Sequence, residues 1–291
     1  MHFMDAWIVV CVQRDRLLES SFDQFRELAA ADFHKEFKFQ FLGEYVQDAG
    51  GVSREWFQLI IEELFNPNFG LFVFSDVDNV TYQINKSSHV NADHLQFFRF
   101  AGQVIGKAVF DQQALPCALT LPLRKAILCQ SSDISDLFFV DTQLAKSLEW
   151  MLRNSIDNVL FETFSVTEDH FGQSVEHPLV SGGCEKVVTD ANKAEYVRCR
   201  LRWELFDSIK PQLEAFCKGF NEVIPASLLQ VFDERELELI ICGVPHIDVD
   251  DWQKHSEYEG DYHQDHEVIS WFWDCVRNHL SVEERTRLLQ F

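Results

Sequence analysis

The segment LGEYVQDAGGVSREWFQLIIEELFNPNFGLF, residues 42–72, contains signals for both the start and the end of a helix. The glycine pair at 50–51 interrupts the chain, and Ser53 follows at a position where its hydroxyl can cap a first helical turn. The Asn66–Pro67 pair then ends the helix, because proline disfavours helical backbone in the residue before it. We therefore predict a helix that begins at Ser53, followed by a short strand in GLFVF, residues 70–74.

Apolar spacing predicts further elements on both sides of this segment. Residues 14–34 carry apolar side chains at helical spacing, whereas the FKFQF stretch that follows alternates strictly and predicts a half-buried strand. The stretch HLQFFRFAGQVIGKAVF, residues 94–110, predicts a long helix that Asn91 caps. Two glycines on this helix, Gly102 and Gly106, permit close approach of a neighbouring element.

The chain changes character between residues 159 and 190, where strand-like stretches replace the helical patterns. VLFETFSV, SVEHPLV and EKVVT are typical of strands, and the Gly182–Gly183 pair is predicted to form a hairpin turn. A long helix starts near Lys193, and Pro211 is expected to kink or divide it, because proline lacks the amide hydrogen that a helix interior needs. The sequence thus predicts an α+β fold, mainly α, with a small subdomain inserted into a helical protein.

Composition limits the classes of function. The 291 residues are 46% hydrophobic, which is enough to bury a sizeable core. The 25 Lys and Arg residues against 47 Asp and Glu give a formal charge of −22, which disfavours nucleic acid as a partner and favours a basic protein surface.

The early apolar run AWIVVCV is much shorter than the roughly 20 residues that span a bilayer. The eight cysteines form no CxxC pair, so we predict a soluble intracellular protein without a membrane span, located in the cytoplasm, with the nucleus as a further location.

One cysteine has neighbours with the chemistry of a catalytic site. Cys184 lies close in sequence to His177 and Glu185, which supply the residue types of a nucleophile, a base and an orienting group. A cysteine beside a glycine pair is also common without any role. A thiol hydrolase that uses Cys184 is therefore kept only as a weaker alternative function.

The acidic region near the C-terminal end of the sequence contains groups that bind metals in other proteins. DVDDWQKHSEYE, residues 248–259, has acids at several calcium-loop positions, but Gln253 stands where the sharp turn requires glycine. The nearby side chains with metal-binding chemistry are His255, His263 and His266, with Glu257 and Asp265. Their spacing matches no fixed ligand pattern, so we predict neither a metal site nor a cofactor.

The opening segment is also where the chain resembles a known family. Its GGVSREWF run and its NP pair are similar to the start of HECT ubiquitin ligase domains, in which a glycine-glycine-valine-x-arginine-glutamate-tryptophan-phenylalanine run precedes an asparagine-proline break. Similar stretches follow in order: YQIN at 82, DHLQFFRFAGQVIGKAV at 93, SLEWML at 147, FDERELELIICG at 232, DVDDWQKHSEY at 248, VISWFWDCV at 268 and RTRLLQF at 285. The resemblance covers nearly everything from Arg14 to Phe291 and is closest to the subfamily that often carries WW domains upstream.

The resemblance implies a division into lobes and subdomains. HECT domains have two lobes, and the cysteine that accepts ubiquitin lies in the smaller C-terminal lobe within a histidine-threonine-cysteine-phenylalanine motif. That motif does not occur in this sequence, so the resemblance implies an N-lobe without its C-lobe, with no catalytic residue of its own and no activity alone. It further implies a large helical subdomain, residues 1–142 and 204–291, and a small one, residues 143–203, that docks a ubiquitin-conjugating enzyme.

The resemblance also implies two binding sites. Family members pass ubiquitin from the cysteine of the conjugating enzyme to the ligase cysteine and then to a substrate lysine, and the N-lobe positions the first of these steps. The groove for the conjugating enzyme falls on Leu144, Leu148, Trp150, Met151, Tyr196 and Arg200. A second site, for a non-covalent ubiquitin, falls on Phe69 and Phe171. At Asn154 the chain departs from family members that have tyrosine there.

The implied partners are a ubiquitin-conjugating enzyme, ubiquitin and protein substrates, with no cofactor. The alternative function, from a different class, is a non-catalytic ligase-like interaction scaffold. A coding sequence that continues past Phe291 into the cysteine motif would favour the ligase, and a stop at that point would favour the scaffold.

Overall fold

A computed structural model describes residues 7–44, 51–75, 77–78, 80–170, 173–243, 248–260, 262–264, 266–280, 284–285 and 288. The chain forms two compact units, Met1–Cys242 and Gly243–Phe291. Helices dominate, and the described strands occur as separate pairs. The predicted fold class, α+β and mainly α, is confirmed.

The described helices and strands follow the chain in order. The helices are α1 (Leu17–Arg26), α2 (Gly51–Leu64), α3 (His94–Phe110), α4 (Leu121–Ile127), α5 (Ile134–Leu137), α6 (Thr142–Arg153), α7 (Lys193–Leu205), α8 (Lys210–Val223), α9 (Ala226–Leu229), α10 (Glu234–Cys242), α11 (Val249–Lys254) and α12 (Glu267–Asn278). The strands are β1 (Trp7–Val12), β2 (Glu36–Phe41), β3 (Phe72–Phe74), β4 (Tyr82–Ile84), β5 (Ser165–His170) and β6 (Gln173–Pro178). β1 and β2 pair in parallel, and β3–β4 and β5–β6 are antiparallel pairs.

The helix predicted in the opening segment is α2, but its start differs from the prediction. The helix begins at Gly51, so Ser53 lies inside the first turn and the predicted cap is wrong. The helix ends at Leu64, shortly before Asn66–Pro67, as predicted. The Asn66 side chain instead accepts a hydrogen bond from the Asn68 amide at 2.9 Å and starts a short 3-10 turn.

The alternation of FKFQF is confirmed in β2, where the phenylalanines are buried and the residues between them are exposed. Trp56 of α2 covers this apolar face, with its ring stacked on Phe39 at a centroid distance of 4.0 Å. The indole Nε1 of Trp56 donates a hydrogen bond to Ser21 Oγ at 3.0 Å, which satisfies the polar atom inside the core. The sequence patterns did not identify β1, the parallel partner of β2.

The single helix predicted for residues 14–34 is wrong. Helix α1 ends at Arg26, and a separate 3-10 turn occupies Ala30–His34. The carboxylate of Asp32 accepts a hydrogen bond from the Ala29 amide at 3.0 Å, which begins that turn independently of α1. The helical spacing of apolar residues continues from α1 into the 3-10 turn, so the sequence pattern predicted one helix where the structure has two elements.

The close approach predicted for the glycines of α3 is confirmed. A Cβ atom added at Gly102 would overlap the carbonyl oxygen of Phe216 in α8. A Cβ atom added at Gly219 of α8 would overlap the carbonyl oxygen of Arg99 in α3. The same two helices share an ion pair in which the Arg99 guanidinium lies 3.0 Å from the Glu222 carboxylate. Helices α3 and α8 therefore pack this closely because Gly102 and Gly219 have no side chain.

Two turn predictions are wrong, and one is confirmed. The residue that precedes α3 is Asp93, so the predicted cap by Asn91 is wrong. The Asn91 side chain instead accepts a hydrogen bond from the Asp93 amide at 3.1 Å. In the β5–β6 register His170 pairs with Gln173, and the Gly182–Gly183 pair lies after β6, where it begins a 3-10 turn with Gly182 at φ 71°. Pro211 lies in the first turn of α8, so the predicted division of the long helix is confirmed.

The first unit contains two apolar cores. The large core comprises buried apolar side chains from Val10 to Leu128 and from Phe216 to Ile241. The small core comprises Leu137, Ala145, Leu148, Met151, Ile156, Phe164, Val188, Tyr196, Val197 and Leu205. The small core therefore comes from one continuous part of the chain, inserted between the two parts that build the large core. The subdomain boundaries at 143–203, against 1–142 with 204–291, stay a prediction.

The second unit packs α11 against α12. Val249, Trp273 and Val276 are buried between them, and the ring of Trp252 lies edge-on to that of Trp273 at 5.4 Å. The indole Nε1 of Trp273 donates to the Tyr258 hydroxyl at 2.9 Å. This unit thus has a small apolar core of its own.

Candidate functional site

Helix α6 buries one face in the small core and exposes the other. The Asp141 carboxylate accepts a hydrogen bond from the Leu144 amide at 2.9 Å and starts the helix, as a capping residue does. Leu148 and Met151, one turn apart, are buried. Because successive helical residues are about 100° apart, Trp150 projects on the other side. Its side chain is 45% exposed.

Helix α7 contributes Tyr196 and Arg200. The ring of Tyr196 is buried edge-on to Phe164 at 5.5 Å, and burial raises the pKa of its hydroxyl. Arg200 follows one turn later, with its Nη1 atom 2.5 Å from Oε2 of Glu204. The tyrosine is therefore part of the packing, and the arginine is part of a charge cluster.

The structure divides the six predicted groove residues into two groups. Leu148, Met151 and Tyr196 belong to the small core and support the surface from beneath. Leu144 is partly buried against that core. Trp150 is the member of the six with a large exposed apolar surface, so it can contact a partner without any rearrangement.

Other exposed apolar side chains in the same region were missed by the sequence analysis. They are Phe139, Leu152, Val159, Phe161 and Val187. Phe161 is 86% exposed, although its segment, VLFETFSV, was predicted to be a strand throughout. The strand begins only at Ser165, and before it the chain makes a single β-bridge between Thr163 and Val187. The apolar letters alone could not distinguish an exposed irregular segment from a buried strand.

A polar network holds the chain where α6 ends. The Asn154 side chain donates to the Trp150 carbonyl at 2.8 Å, and the Lys193 ammonium donates to the Asn154 carbonyl at 2.6 Å. Hydrogen bonds from Ser155 and Lys193 hold the pKa of the Asp190 carboxyl well below its usual range. Asn154, which departs from the tyrosine of some family members, therefore caps α6 and fixes the backbone beside Trp150.

The two residues predicted for a ubiquitin site can be described only in part. Phe69 lies in a 3-10 turn after α2, half-buried against the large core, with its ring edge-on to Phe97 at 5.1 Å. Phe171 lies outside the described residues. The structure therefore locates one of the two positions.

The geometry around Cys184 does not favour a nucleophile. Local desolvation and the Glu176 carboxylate raise the pKa of the Cys184 thiol, and a reactive cysteine requires the opposite shift. His177 lies instead against the ring of Trp203 at 5.0 Å, with its Nε2 atom 3.6 Å from the Glu168 carboxylate. All eight cysteines are free thiols.

Two of the side chains considered for metal binding cap helices. The Asp248 carboxylate accepts from the amides of Asp250 and Asp251, both at 3.0 Å, at the start of α11. The His266 ring accepts from the Val268 amide at 3.2 Å at the start of α12. Within the described ranges, no group of three or more His, Cys, Asp or Glu side chains is arranged to hold a metal ion.

No helix in the described part of the chain combines the length and the apolar composition that crossing a membrane requires.

Comparison with known proteins gives one family and several relatives. The HECT-domain (ubiquitin-transferase) family matches residues 58–291 of the chain. The E3 ubiquitin-protein ligase RSP5 of Saccharomyces cerevisiae is 44% identical over 280 residues, which cover 96% of this chain and 34% of that protein. The E3 ubiquitin-protein ligase HECW1 of Homo sapiens is 42% identical over 285 residues, 98% of this chain and 18% of that protein. The E3 ubiquitin-protein ligase Nedd-4 of Drosophila melanogaster is 40% identical over 282 residues, 96% of this chain and 28% of that protein. The chain thus spans about a third or less of the length of these relatives.

Proposed function

The chain belongs to the HECT-domain (ubiquitin-transferase) family, and we propose that it docks a ubiquitin-charged conjugating enzyme for transfer of ubiquitin. Its relatives are E3 ubiquitin-protein ligases, so the proposed activity of the whole protein is ubiquitination of substrate lysines. The observation that supports docking is Trp150, an exposed aromatic side chain on the helix that the small core holds in place. The proposed docking subdomain comprises residues 143–203.

The six groove residues have different roles in this proposal. Trp150 anchors the conjugating enzyme, because large aromatic side chains dominate the energetics of protein interfaces. Leu144 adds apolar contact, and Arg200 adds a positive charge at the edge. The buried side chains of the set keep α6 and α7 in position and do not touch the partner.

The contribution of the chain to transfer is orientation. In the family reaction, an acceptor thiolate attacks the thioester carbonyl of ubiquitin and releases the thiolate of the conjugating enzyme. A substrate amine then attacks the new thioester and releases the acceptor. Holding the conjugating enzyme in one orientation converts an encounter between proteins into an oriented reaction. The formal charge of −22 favours association with a basic face of the partner.

We further propose that no cysteine of this sequence accepts ubiquitin. The sequence contains no histidine-threonine-cysteine-phenylalanine motif. Burial raises the pKa of the Cys217 thiol to about 12 and that of the Cys242 thiol to about 11, and the pKa of Cys117 is also raised well above its usual value. Such thiols stay protonated near neutral pH, whereas the thiolate is the nucleophile.

Incubation of the chain with activating enzyme, conjugating enzyme, ATP and ubiquitin tests this proposal. We expect no thiol-reducible ubiquitin adduct on the chain, whereas the reducible thioester on the conjugating enzyme in the same gel provides the positive control. The proposal is wrong if an adduct forms on the chain and disappears when one native cysteine is replaced by serine.

A second proposed site binds ubiquitin non-covalently at Phe69. Titration with free ubiquitin is expected to shift the amide resonances of residues 68–70, and Phe69→Ala should weaken binding about fivefold, because truncating an aromatic contact costs about 1 kcal/mol or more. Phe74→Ala removes another partly exposed phenylalanine, from β3, and serves as the matched control. Unshifted amides at saturating ubiquitin would eliminate this site.

A further inference from the structure

The two cores of the first unit meet around a cavity of about 280 Å³. Ile84 and Leu123 of the large core line it on one side, and Leu205 of the small core lines it on the other. The chain passes between the cores through residues 129–133 and again through residues 206–209. Since a cavity gives fewer packing contacts than continuous side chains, polar contacts at its edge have a larger share in holding the two cores together.

Glu204 forms a charge cluster at the edge of this cavity. Its carboxylate pairs with the Lys86 ammonium, which follows β4 in the large core, and with the Arg200 guanidinium at 2.5 Å. The Glu204 side chain is 10% exposed, against 36% for Lys86. Burial alone would raise the pKa of Glu204, but Lys86 and Arg200 hold it below its usual value, so the carboxylate is ionised at neutral pH.

A second ion pair braces the other connection between the cores. The Lys125 ammonium of α4 lies 2.7 and 2.8 Å from the two carboxylate oxygens of Asp136 in α5. Asp136 is fully enclosed. Because this pair lies only eleven residues apart along the chain, it fixes the local connection and leaves the far side of the small core to other contacts.

The Lys86–Glu204 pair joins residues that are 118 positions apart. Lys86 follows β4, which contributes Ile84 to the large core, and Glu204 lies on α7, which contributes Leu205 to the small core. We infer that Lys86 and Glu204 are positioning residues, whose ion pair sets the orientation of the small core and of the α6 surface relative to the large core. Arg200 couples this pair to docking, since it belongs to the proposed groove and shares the Glu204 carboxylate. Contact of a conjugating enzyme with Arg200 is therefore expected to alter the Arg200–Glu204 ion pair and, through the shared carboxylate, the Lys86–Glu204 pair.

Amide residual dipolar couplings test the inference directly. In the unmodified chain, couplings from α6 and α7 and couplings from α3 and α8 should fit one alignment tensor. Lys86→Met and Glu204→Gln should each require separate tensors for the two cores, and the double variant should resemble the single ones, because both changes remove the same pair. Glu195→Gln is the matched control, since it breaks an ion pair of α7 with Lys186 within the small subdomain and leaves the junction unchanged.

The coupling to docking rests on the proposed function and has its own measurement. The affinity for the conjugating enzyme should fall about fivefold in Lys86→Met and Glu204→Gln, and stay unchanged in Glu195→Gln. If one alignment tensor fits the couplings of both cores in Lys86→Met and in Glu204→Gln, the positioning role is wrong, whether or not the chain binds a conjugating enzyme. Failure of the unmodified chain to bind any conjugating enzyme instead contradicts the proposed function and leaves the tensor result intact.

Discussion

The Gly219→Ala variant is expected to lose about 3 kcal/mol of unfolding free energy, at the upper end of the usual range for overpacking. The added methyl group would overlap the Arg99 carbonyl oxygen of α3, and this atom belongs to the backbone, so no side chain can rotate away. The helices must separate, and the Arg99–Glu222 ion pair between them must adjust. Urea denaturation followed by far-ultraviolet circular dichroism measures the loss.

Gly51→Ala is the matched control for this prediction. Gly51 starts α2 with no atom within 4 Å of the position of an added Cβ, so alanine should leave stability unchanged or raise it slightly. A Gly219→Ala variant with stability within about 1 kcal/mol of the parent would show that α3 and α8 separate at little cost, against the expected cost of overpacking.

The Trp150→Ala variant is expected to bind the conjugating enzyme about thirtyfold more weakly than the parent, which corresponds to about 2 kcal/mol. The side chain is 45% exposed on α6, with the backbone beneath it fixed by Asn154 and Lys193. Its removal therefore deletes apolar contact area without opening a cavity. The free energy of unfolding should change little, and isothermal titration calorimetry gives the affinity.

Trp7→Ala is the control that matches Trp150→Ala in residue type and exposure. Trp7 is 46% exposed and lies on β1, far along the chain from the proposed groove. Equal affinities for the Trp150→Ala variant and the parent would reject Trp150 as the anchor. Leu148→Ala cannot replace this experiment, because truncating a buried leucine costs about 2–5 kcal/mol and a loss of binding would then reflect unfolding.

Sequence reasoning was most successful where a local rule determines the structure. The Phe alternation of β2 and the division at Pro211 each follow from geometry within a few residues, and both are confirmed. The close approach at Gly102 follows from its missing side chain and is also confirmed. The family match to residues 58–291 confirms the resemblance that the motifs indicated.

The failures concern details that apolar spacing and turn residues do not encode. A hydrogen bond between Asp32 and Ala29 starts a separate turn inside one continuous apolar pattern, and the β5–β6 register is a pairing that the letters at Gly182 do not encode. The same limit applies to the site. The exposed Phe161 has the same sequence pattern as a buried phenylalanine. The ion pair between Glu204 and Lys86 joins two residues that no periodicity of the sequence relates.

The insertion of the small core between α3 and α8 has a consequence for the order of folding during synthesis. Residues of α3 leave the ribosome about a hundred positions before their partners in α8, so the large core cannot be completed until the entire insertion has emerged. The small core uses continuous chain and closes shorter loops, which should let it form first. Until α8 has emerged, the apolar face of α3 is exposed to solvent, and we expect chaperones to bind it.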